Sequence, residues 1–524
     1  MDIHELRVEV DRIDDEIVRL YCERMRVCAG IAQVKAQSGA AVYDPERETG
    51  KLADVLGKAD EDLRVYVGEL YTRIFQLSRE YQESLGGSKP PPYQVLDEHW
   101  GERKGRFGLL GEKLGHSCSP LIHAQLADYE YLLYERAPDE VADFLMNGDF
   151  DGLNVTVPYK ITVLPMCAAL SETAARICSV NTIIRRDDGT LYGDNTDHFG
   201  FSCLLAKTDI DIKGKKAIVL GDGGAAATVR AVLNDSGAGE TVTISRRGPD
   251  NYKNLSTHSN AQIVINATPV GMYPGNGVSP TDLRGFSSCE LVLDLISNPT
   301  KTALVLQAED LGIPCSGGLY MLLAQAARAC ELFKSYTARR IMHKTMDCQP
   351  LCGAPAVELF ESIERQVKNI VLIGMPGCGK TSVGRYLAEF TNREFCDTDE
   401  LVAARAGKSV ERVILDYGEH AFRRMEEAVL NEVSKESGCV IATGGGIVTN
   451  PANRKLLRQN SVVVFLDRAL EQLPEQGRPL SAARGVSSIY AERLPLYLEW
   501  CEHRITANGG AEETALAAKK AVKL

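Results

Sequence analysis

The sequence contains 524 residues, with a net charge of −12 at pH 7 and a pI of about 5.4. A chain of this length exceeds what one hydrophobic core supports, so about three domains are expected. The acidic balance excludes a general attraction to nucleic acid or to an anionic membrane, so local arginines or backbone N–H groups must hold any anionic ligand.

The beginning of the chain carries no export or anchoring signal. The stretch MDIHELRVEVDRIDDE is acidic and lacks a basic segment followed by an apolar one, and no apolar run approaches the about 20 residues that span a bilayer. The 15 cysteines are scattered, which in a long chain without an export signal is typical of reduced thiols. We therefore expect a cytoplasmic protein with neither membrane nor nucleic-acid partners.

The first predicted element is one long amphipathic helix over residues 3–38. Its apolar residues recur at alternating steps of four and three: Leu6, Val10, Ile13, Ile17 and Leu20. At 1.5 Å per residue this helix would be roughly 50 Å long, more than the small domain that contains it can cover. A partner helix from a second copy of the chain is therefore predicted, which means a homodimer formed through the N-terminal helices.

Two further helices complete an all-helical domain over residues 1–86. YDPERE predicts a second helix with Asp44 as N-cap and Pro45 at the first helical position, where its missing N–H group costs nothing. A third helix is expected from about residue 60 to residue 85. GGSKPPP cannot continue this helix, so residues 87–104 are predicted to form an extended linker.

Charged residues follow these helices at a recognisable spacing. Arg24 and Lys35 lie three helical turns apart and point the same way, although cations on one helix are usually solvated surface. With polar residues of the other helices, they form a set that resembles the all-helical class of chorismate mutase over residues 1–85: Arg7, Asp14, Arg24, Lys35, Asp44, Arg47, Glu48, Ser78 and Gln82.

This resemblance implies a chorismate site without a catalytic acid or base. Arg7, supplied by the partner chain, and Arg24 would bind the two carboxylates. Lys35 and Gln82 would contact the ether oxygen and Glu48 the hydroxyl. The remaining substrate contacts are assigned to Asp44, Arg47 and Ser78. Such a rearrangement needs charge stabilisation and a compact substrate conformer. The alternative is that these helices only form a dimer or sense an aromatic metabolite.

From GRFGLLG onward, short apolar runs alternate with helical patterns. The runs KAIVLG, TVTIS, QIVINAT and LVLDLI are typical of βαβ units and a parallel sheet. We predict a two-lobed α/β domain over residues 105–347, with one lobe at 105–205, a Rossmann-like lobe at 206–320 and returning helices at 321–347. Residues 348–367 are predicted to be a second linker.

A glycine-rich turn in this domain predicts a dinucleotide site. AIVLGDGGAAATVRAVL places Gly221, Gly223 and Gly224 between a strand and a helix, where a pyrophosphate meets a helix N-terminus. The next strand ends in Ser245, Arg246 and Arg247, where a binder of NAD usually carries an acidic residue. The guanidinium groups suit the 2′-phosphate of NADP.

Several motifs of this domain resemble shikimate dehydrogenase over residues 105–335: GHSCSP, NVTVPYK, VNT, GDNTD and GGLYMLLAQ. The resemblance implies that Lys160 protonates the carbonyl oxygen of 3-dehydroshikimate during hydride transfer, with Asp197 as its partner. It assigns the substrate carboxylate and hydroxyls to Ser117, Ser119, Thr156, Asn181 and Gln325. It assigns further cofactor contacts to Ala225, Thr268, Gly318 and Met321.

Three positions depart from the family: Ser297, where tyrosine is usual, and Asp222 and His198. The two serines of HSCSP favour shikimate over quinate. A quinate or broad-specificity dehydrogenase is the alternative.

A second phosphate loop follows in IGMPGCGKT, after the apolar run NIVL and before a helical pattern. Its glycine-rich backbone would turn N–H groups onto the phosphates of ATP, Lys380 would supply a cation, and Thr381 would offer a hydroxyl to Mg²⁺. The nucleotide contacts predicted here are Gly374, Gly377, Cys378, Gly379, Lys380, Thr381 and Ser382.

Downstream motifs resemble shikimate kinase, within a P-loop α/β domain over residues 368–524: CDTDE, FRRME, ATGGGIV, GRPLS and ERLPLY. The resemblance implies that Asp397 helps to place Mg²⁺ and that Asp399 contacts the attacking hydroxyl of shikimate. It assigns the substrate carboxylate to Arg423 and Arg493, backbone contacts with the substrate to Gly445, and the lid that closes over the phosphates to Arg478. Phosphoryl transfer needs alignment and positive charge, which these residue types supply. The sequence therefore predicts a trifunctional enzyme of aromatic biosynthesis.

Overall fold

The computed structural model describes residues 3–38, 45–85, 105–115, 117–342, 354–473 and 485–524. The chain divides into two compact units, Met1–Arg103 and Lys104–Leu524. Every helix in the described ranges is too short or too polar to cross a bilayer. Asp44 and Arg478 lie outside the described residues, as does the side chain of Arg7.

The first unit consists of three helices: α1 Ile3–Ser38, α2 Pro45–Lys58 and α3 Arg64–Leu85. The long first helix and the proline at the start of the second agree with the predictions. The third begins at Arg64 because a turn precedes it, closed by a hydrogen bond from Leu63 N to Asp60 O (3.0 Å).

The packing of α1 differs between its two halves. Cys28 and Ala32, in the C-terminal half, are buried in the small core of this unit. In the N-terminal half, Leu6, Val10 and Ile17 are 47–55% exposed. The unit therefore covers only part of the apolar stripe that the sequence places along this helix.

The second unit begins with a mixed six-stranded sheet in the order β2-β1-β3-β5-β6-β4. Its strands are β1 Arg106–Gly111, β2 Glu130–Glu135, β3 Gly152–Val155, β4 Ala169–Leu170, β5 Thr182–Arg185 and β6 Leu191–Asp194. The helices of this lobe are α4 Ser119–Leu126, α5 Val141–Asn147, α6 Glu172–Ile177 and α7 Thr196–Lys207. Strands β1, β2 and β3 pair in parallel, whereas β5 pairs antiparallel with both β3 and β6.

A five-stranded parallel sheet follows, in the order β11-β10-β9-β7-β8. Its strands are β7 Lys216–Leu220, β8 Glu240–Ile244, β9 Ile263–Asn266, β10 Leu291–Asp294 and β11 Cys315–Ser316. Its helices are α8 Gly224–Asp235 and α9 Ala303–Asp310, and α10 Leu319–Met342 returns to pack on α7. Ala217 and Val219 belong to one core, Ile218 and Leu220 to another, so both faces of the sheet are covered.

The second half of the segment predicted as a linker, residues 348–367, forms a helix instead, α11 Ala354–Val367. Its Ile363 and Val367 are buried against Ile122 of α4 and Leu323 of α10. Apolar residues at helical spacing explain this packing, since a stripe of this kind is stable only when it is covered.

The C-terminal part contains a third sheet, parallel and five-stranded, in the order β13-β14-β12-β15-β16. Its strands are β12 Asn369–Ile373, β13 Phe395–Asp397, β14 Val440–Ala442, β15 Ser461–Asp467 and β16 His503–Thr506. Its helices are α12 Lys380–Thr391, α13 Thr398–Ala406, α14 Val410–Tyr417, α15 Glu419–Val433, α16 Pro451–Asn460, α17 Val486–Trp500 and α18 Ala511–Ala521. Ligand sites in such sheets lie at the carboxyl ends of the strands.

Candidate active sites

Lys160 and Asp197 form a charged centre in the second unit. Lys160 lies in the loop after β3, where its carbonyl oxygen accepts a hydrogen bond from Val180 N (2.8 Å). Asp197 lies in the first turn of α7. Lys160 Nζ donates to Asp197 Oδ2 at 2.5 Å, and the two side chains are 17% and 7% exposed. Because water is largely excluded, the carboxylate orients the ammonium group strongly, which suits a proton donor.

A buried polar network lies beside the start of α7. Asn181 Nδ2 donates to Gln325 Oε1 (3.2 Å), so two predicted substrate residues from distant segments meet. Thr196 joins both of them: its N–H donates to Asn181 Oδ1 (2.6 Å) and its hydroxyl to Gln325 Oε1 (3.3 Å). Thr196 was not predicted as a site residue, although it lies inside the GDNTD motif. The network fixes the two amides before any ligand arrives.

Ser117 and Ser119 are close together, because Ser119 N donates to Ser117 Oγ (3.2 Å) at the start of α4. Ser119 is buried and Thr156, at the carboxyl end of β3, is half-buried. One turn along α4, His123 is buried against Tyr131, with 3.9 Å between the ring centroids. Burial lowers the pKa of His123 to about 3, so this imidazole is neutral. His123 was not predicted as a site residue from the sequence.

The glycine-rich turn after β7 fits a dinucleotide. Gly221 has φ +108°, a left-handed conformation that favours glycine. A Cβ on Gly224 would lie 2.9 Å from Ser179 Oγ and 3.5 Å from Lys160 Cβ, so the turn lies next to the predicted proton donor. The N-terminus of α8 therefore presents its N–H groups beside Lys160, as a bound pyrophosphate requires.

The remaining predicted cofactor residues lie in different surroundings. Arg246 and Arg247 are exposed in the loop after β8, whereas Ser245 is buried and its hydroxyl accepts a hydrogen bond from Gly248 N (2.9 Å). Thr268 Oγ1 donates to Asn266 Oδ1 (2.6 Å). Three predicted cofactor residues remain. Ala225 is in the first turn of α8, Gly318 directly precedes α10, and Met321 is buried in the core on one face of the parallel sheet.

The P-loop after β12 has the backbone that phosphate binding needs. Gly374, Gly377 and Gly379 have φ of +148°, +83° and +101°. Lys380 Nζ donates to the carbonyl oxygens of Gly374 (2.9 Å) and Met375 (3.0 Å). The partners recorded for this buried lysine in the described structure are neutral, namely these carbonyl groups and the Cys378 sulfur (3.8 Å), so a phosphate arriving at the helix N-terminus would neutralise the charge of Lys380. Of the other residues predicted here, Cys378 is buried and Ser382 is exposed in the first turn of α12.

Thr381 and Asp397 lie together as a site for a divalent cation requires. Thr381 Oγ1 donates to Asp397 Oδ2 at 2.6 Å. The second carboxylate oxygen, Oδ1, caps α13 by accepting from Asp399 N (2.9 Å) and Glu400 N (3.3 Å). The cap fixes the carboxylate, and the oxygen that faces Thr381 has the hard character that Mg²⁺ prefers.

A cavity of about 520 Å³ joins the P-loop to the predicted substrate residues, and its lining includes Asp399, Arg423, Gly445 and Arg493. Arg493 Nη1 donates to Gly445 O (3.0 Å). Arg493 Nε is buried and has no partner among the described residues, so this guanidinium keeps a donor for a ligand. Such a cavity is in the size range of small-molecule sites.

The glycine run 444–446 is required by its neighbours. A Cβ on Gly446 would collide with the guanidinium of Arg423, and one on Gly444 would collide with Glu426. Arg423 Nη1 donates to Glu426 Oε2 (2.7 Å). Burial raises the pKa of Glu426, and Arg423 partly offsets this. Glu426 was missed by the sequence analysis, although it follows Arg423 by three residues on one helix face.

The first unit brings together part of its predicted set. Arg24 Nη1 donates to Ser78 Oγ (2.5 Å), and Gln82 Nε2 donates to Ser78 O (3.1 Å). Gln82 Oε1 is buried without a partner among the described residues, so it can accept from a ligand. Glu48 forms an ion pair with Arg79, a residue the sequence analysis missed although it follows Ser78 directly. Of the other predicted residues, Lys35 is half-buried and Arg47 is exposed.

Models of three protein families match separate parts of the chain. The model described as chorismate mutase type II matches residues 6–83. The shikimate dehydrogenase substrate binding domain matches residues 109–183, and shikimate kinase matches residues 376–523. The three matches fall on the first unit, the six-stranded sheet and the C-terminal sheet.

Individual proteins similar to the chain include two dehydrogenases. Shikimate dehydrogenase (NADP(+)) of Clostridium perfringens is 35% identical over an alignment of 248 residues, and the match covers 43% of this chain and 91% of the relative. The enzyme of that name from Halothermothrix orenii is 34% identical over an alignment of 259 residues, and the match covers 43% of this chain and 89% of the relative. A solved chorismate mutase/shikimate 5-dehydrogenase fusion protein from Clostridium acetobutylicum is 33% identical, covers 50% of this chain and 98% of its own, and has a TM-score of 0.44.

The curated relatives are matched over nearly their whole length, at 34–35% identity. The chain therefore belongs to the shikimate dehydrogenase family, and it joins this dehydrogenase to a chorismate mutase domain and a shikimate kinase domain in one polypeptide.

Proposed function

We propose that the chain converts chorismate to prephenate, reduces 3-dehydroshikimate to shikimate with NADPH, and phosphorylates the 3-hydroxyl of shikimate with ATP. The observation that carries the middle reaction is the shielded Lys160–Asp197 pair beside the glycine-rich turn. The kinase product differs from the dehydrogenase product by one phosphoryl group, so the second and third reactions act in sequence.

In the dehydrogenase, bound NADPH supplies the hydride for the carbonyl carbon. Lys160 gives its proton to the carbonyl oxygen, so the product carries a hydroxyl and the lysine regains a proton from water. Asp197 holds the ammonium in position throughout, because its carboxylate is only 2.5 Å away. Asn181, Gln325 and the two serines hold the ring.

Arg246 and Arg247 hold the 2′-phosphate and make the enzyme prefer NADPH to NADH. Both are exposed on the loop after β8 and free to turn toward a ligand. A guanidinium can bind a phosphate with two hydrogen bonds, whereas NADH offers a neutral hydroxyl there.

In the kinase, ATP bound with Mg²⁺ supplies the phosphoryl group. Lys380 provides the cation for its phosphates, and Thr381 and Asp397 are the residues that would hold the metal. Asp399 accepts the proton of the attacking hydroxyl, and Arg423 and Arg493 hold the carboxylate of shikimate. All these residues line one cavity, which supports the assignment. The role of Arg478 as a lid residue stays a prediction.

In the mutase, Arg24, Lys35 and Gln82 hold the compact conformer of chorismate in a homodimer. Two observations support this proposal: the exposed apolar residues of α1, and the Oε1 atom of Gln82, which is buried without a partner among the described residues. A second copy of the chain would cover the exposed apolar residues of α1 and supply its Arg7 to the chorismate site. The cytoplasmic location stays a prediction of the sequence.

The test is to measure all three activities on the full chain and on three variants, Arg24→Ala, Lys160→Met and Lys380→Met. We expect each variant to lose one activity and keep the other two. The retained activities show that the variant is folded. If neither the unaltered chain nor Arg24→Ala turns over chorismate, the mutase proposal is refuted. The N-terminal helices would then only form a dimer or sense an aromatic metabolite. Equal turnover of quinate and shikimate with NADP⁺ would refute the assigned specificity.

A further inference from the structure

Arg468, an arginine without an assigned role, lies beside the P-loop of the kinase part. It directly follows β15, which pairs in parallel with β12, the strand that leads into the loop. Arg468 comes three residues after Phe465, which pairs with Ile373 at the end of β12. Because the carboxyl ends of parallel strands meet at the same edge of a sheet, this register brings Arg468 to the edge at which the P-loop lies.

The guanidinium group of Arg468 is close to the backbone of the loop. A Cβ atom placed on Gly379 would lie 3.9 Å from Nη1 of Arg468. Gly379 is the N-cap residue of α12, and no side chain caps this end of the helix, so the first N–H groups of α12 have no acceptor from a cap. The positive charge of Arg468 therefore adds to that of Lys380 and of the helix N-terminus, all of which favour an anion.

The guanidinium of Arg468 has no partner within the described part of the chain. Arg468 is half-buried, and its Nε atom is buried without a hydrogen bond to any described residue. Its Nη atoms form neither a hydrogen bond nor an ion pair in the same ranges. The adjacent carboxylate of Asp467 is occupied, because its Oδ2 accepts hydrogen bonds from Nε (3.0 Å) and Nη2 (2.6 Å) of Arg504. A shielded donor without an acceptor is unfavourable, and a bound anion would supply the acceptor.

Arg468 lies outside the cavity that contains the residues assigned to shikimate. The lining of this 520 Å³ cavity includes Gly379 and Asp399, but it does not include Arg468. The attacking hydroxyl and the phosphoryl group that is transferred meet inside the cavity. A cation beside the P-loop but outside this cavity can therefore contact only the part of the nucleotide that is not transferred. Such a contact is equally strong before and during the reaction, so it changes nucleotide affinity and not kcat.

We propose that Arg468 is a nucleotide-binding residue of the kinase part, and that its guanidinium binds the phosphates that ADP and ATP have in common. Arg468 then determines nucleotide affinity and takes no part in the transfer step. The inference deepens the proposed kinase function and rests on it, because the P-loop supplies the rest of the phosphate site.

The experiment is a calorimetric titration of the full chain with ADP and Mg²⁺, on the unaltered protein and on Arg468→Met, Arg468→Lys and Arg468→Glu. Methionine keeps the apolar stem and removes the guanidinium. We expect the dissociation constant for ADP to rise about five- to thirtyfold in the methionine variant, the size of one charge-assisted hydrogen bond at a half-exposed position. The glutamate variant should raise it further, and the lysine variant should restore part of the affinity. The KM for ATP should rise by a similar factor, while kinase kcat, the KM for shikimate and the dehydrogenase constants stay unchanged.

Thermal unfolding separates a binding role from a structural one. Because the guanidinium has no described partner to lose, Arg468→Met should not lower the unfolding temperature measured without nucleotide. The increase in unfolding temperature on addition of ADP should become smaller, since ligand binding stabilises the folded state according to its affinity. Arg405→Ala is the matched control: it removes an exposed arginine of the same part, whose Nη1 donates to Glu432 Oε1 (2.9 Å) outside the nucleotide site. Its ADP binding should equal that of the unaltered chain.

An unchanged dissociation constant for ADP in both the methionine and glutamate variants would overturn the proposal. So would a lower unfolding temperature without nucleotide in Arg468→Met, since that result belongs to a purely structural arginine. A fall in kinase kcat with normal ADP binding would also contradict it, because Arg468 would then act in the transfer step. Failure of the proposed kinase function is separately visible, because the unaltered chain would then neither bind ADP nor phosphorylate shikimate.

Discussion

Replacing Asp197 by asparagine tests how the dehydrogenase orients its proton donor. The substitution keeps the shape of the side chain and removes the charge that faces Lys160 Nζ at 2.5 Å. A charge-assisted hydrogen bond in a mostly shielded place contributes about 2–3 kcal/mol after a discount for the 17% exposure of Lys160. If that energy orients the ammonium in the transition state, kcat falls about 30- to 150-fold. Lys160→Met removes the donor itself, and the expected loss is about 10²- to 10⁴-fold.

The assay follows NADPH oxidation with saturating 3-dehydroshikimate, and the kinase activity of the same samples serves as an internal control. Asp282→Asn is the matched variant, because it removes a carboxylate from an exposed ion pair with Arg284 (2.6 Å). We expect its kcat to equal that of the unaltered chain. A kcat within threefold of normal in Asp197→Asn, or a kinase that fails in parallel, would refute the reasoning.

Three other predictions concern separate parts of the second unit. Asp397→Asn should lower kinase kcat about 10²- to 10³-fold while the dehydrogenase stays active, because it removes the carboxylate that faces Thr381. Activity restored at high Mg²⁺ would indicate weakened binding of the metal. Unaltered activity at low Mg²⁺ would contradict the assignment. The double change of Arg246 and Arg247 to alanine should raise the KM for NADPH at least about tenfold and leave that for NADH unchanged; an equal effect on both cofactors would contradict the 2′-phosphate assignment. His123→Phe should make the free energy of unfolding less sensitive to acid, as measured in denaturant titrations. Burial lowers the folded-state pKa of His123 to about 3, so the contribution of the neutral imidazole to stability is complete above about pH 6.5, and up to about 4 kcal/mol of it is lost as the pH falls toward 3. An equal pH dependence of the unfolding free energy in the variant would refute this.

Features that are local in the chain could be predicted from the amino-acid sequence alone. The apolar steps in residues 3–38 predict one helix, and the structure has α1 at Ile3–Ser38. The P-loop and the turn at Gly221 could also be predicted from the sequence, because a phosphate-binding loop consists of consecutive residues between a strand and a helix. The roles of individual side chains came from family resemblance, since a lone Lys160 or Arg423 carries no local sign of its function.

Contacts between residues that are distant in the chain could not be predicted from the sequence and are seen in the folded structure. Thr196 connects Asn181 to Gln325, and Tyr273 of the dehydrogenase donates to the carbonyl oxygen of Ser434 in the kinase part. The helix α11 lies in a segment predicted as linker. Its apolar spacing could have identified it as a helix, but its packing against α4 and α10 could not be predicted. Such contacts depend on how whole helices and sheets pack against one another. Residues that are far apart in the sequence carry no local pattern that predicts which of them will meet.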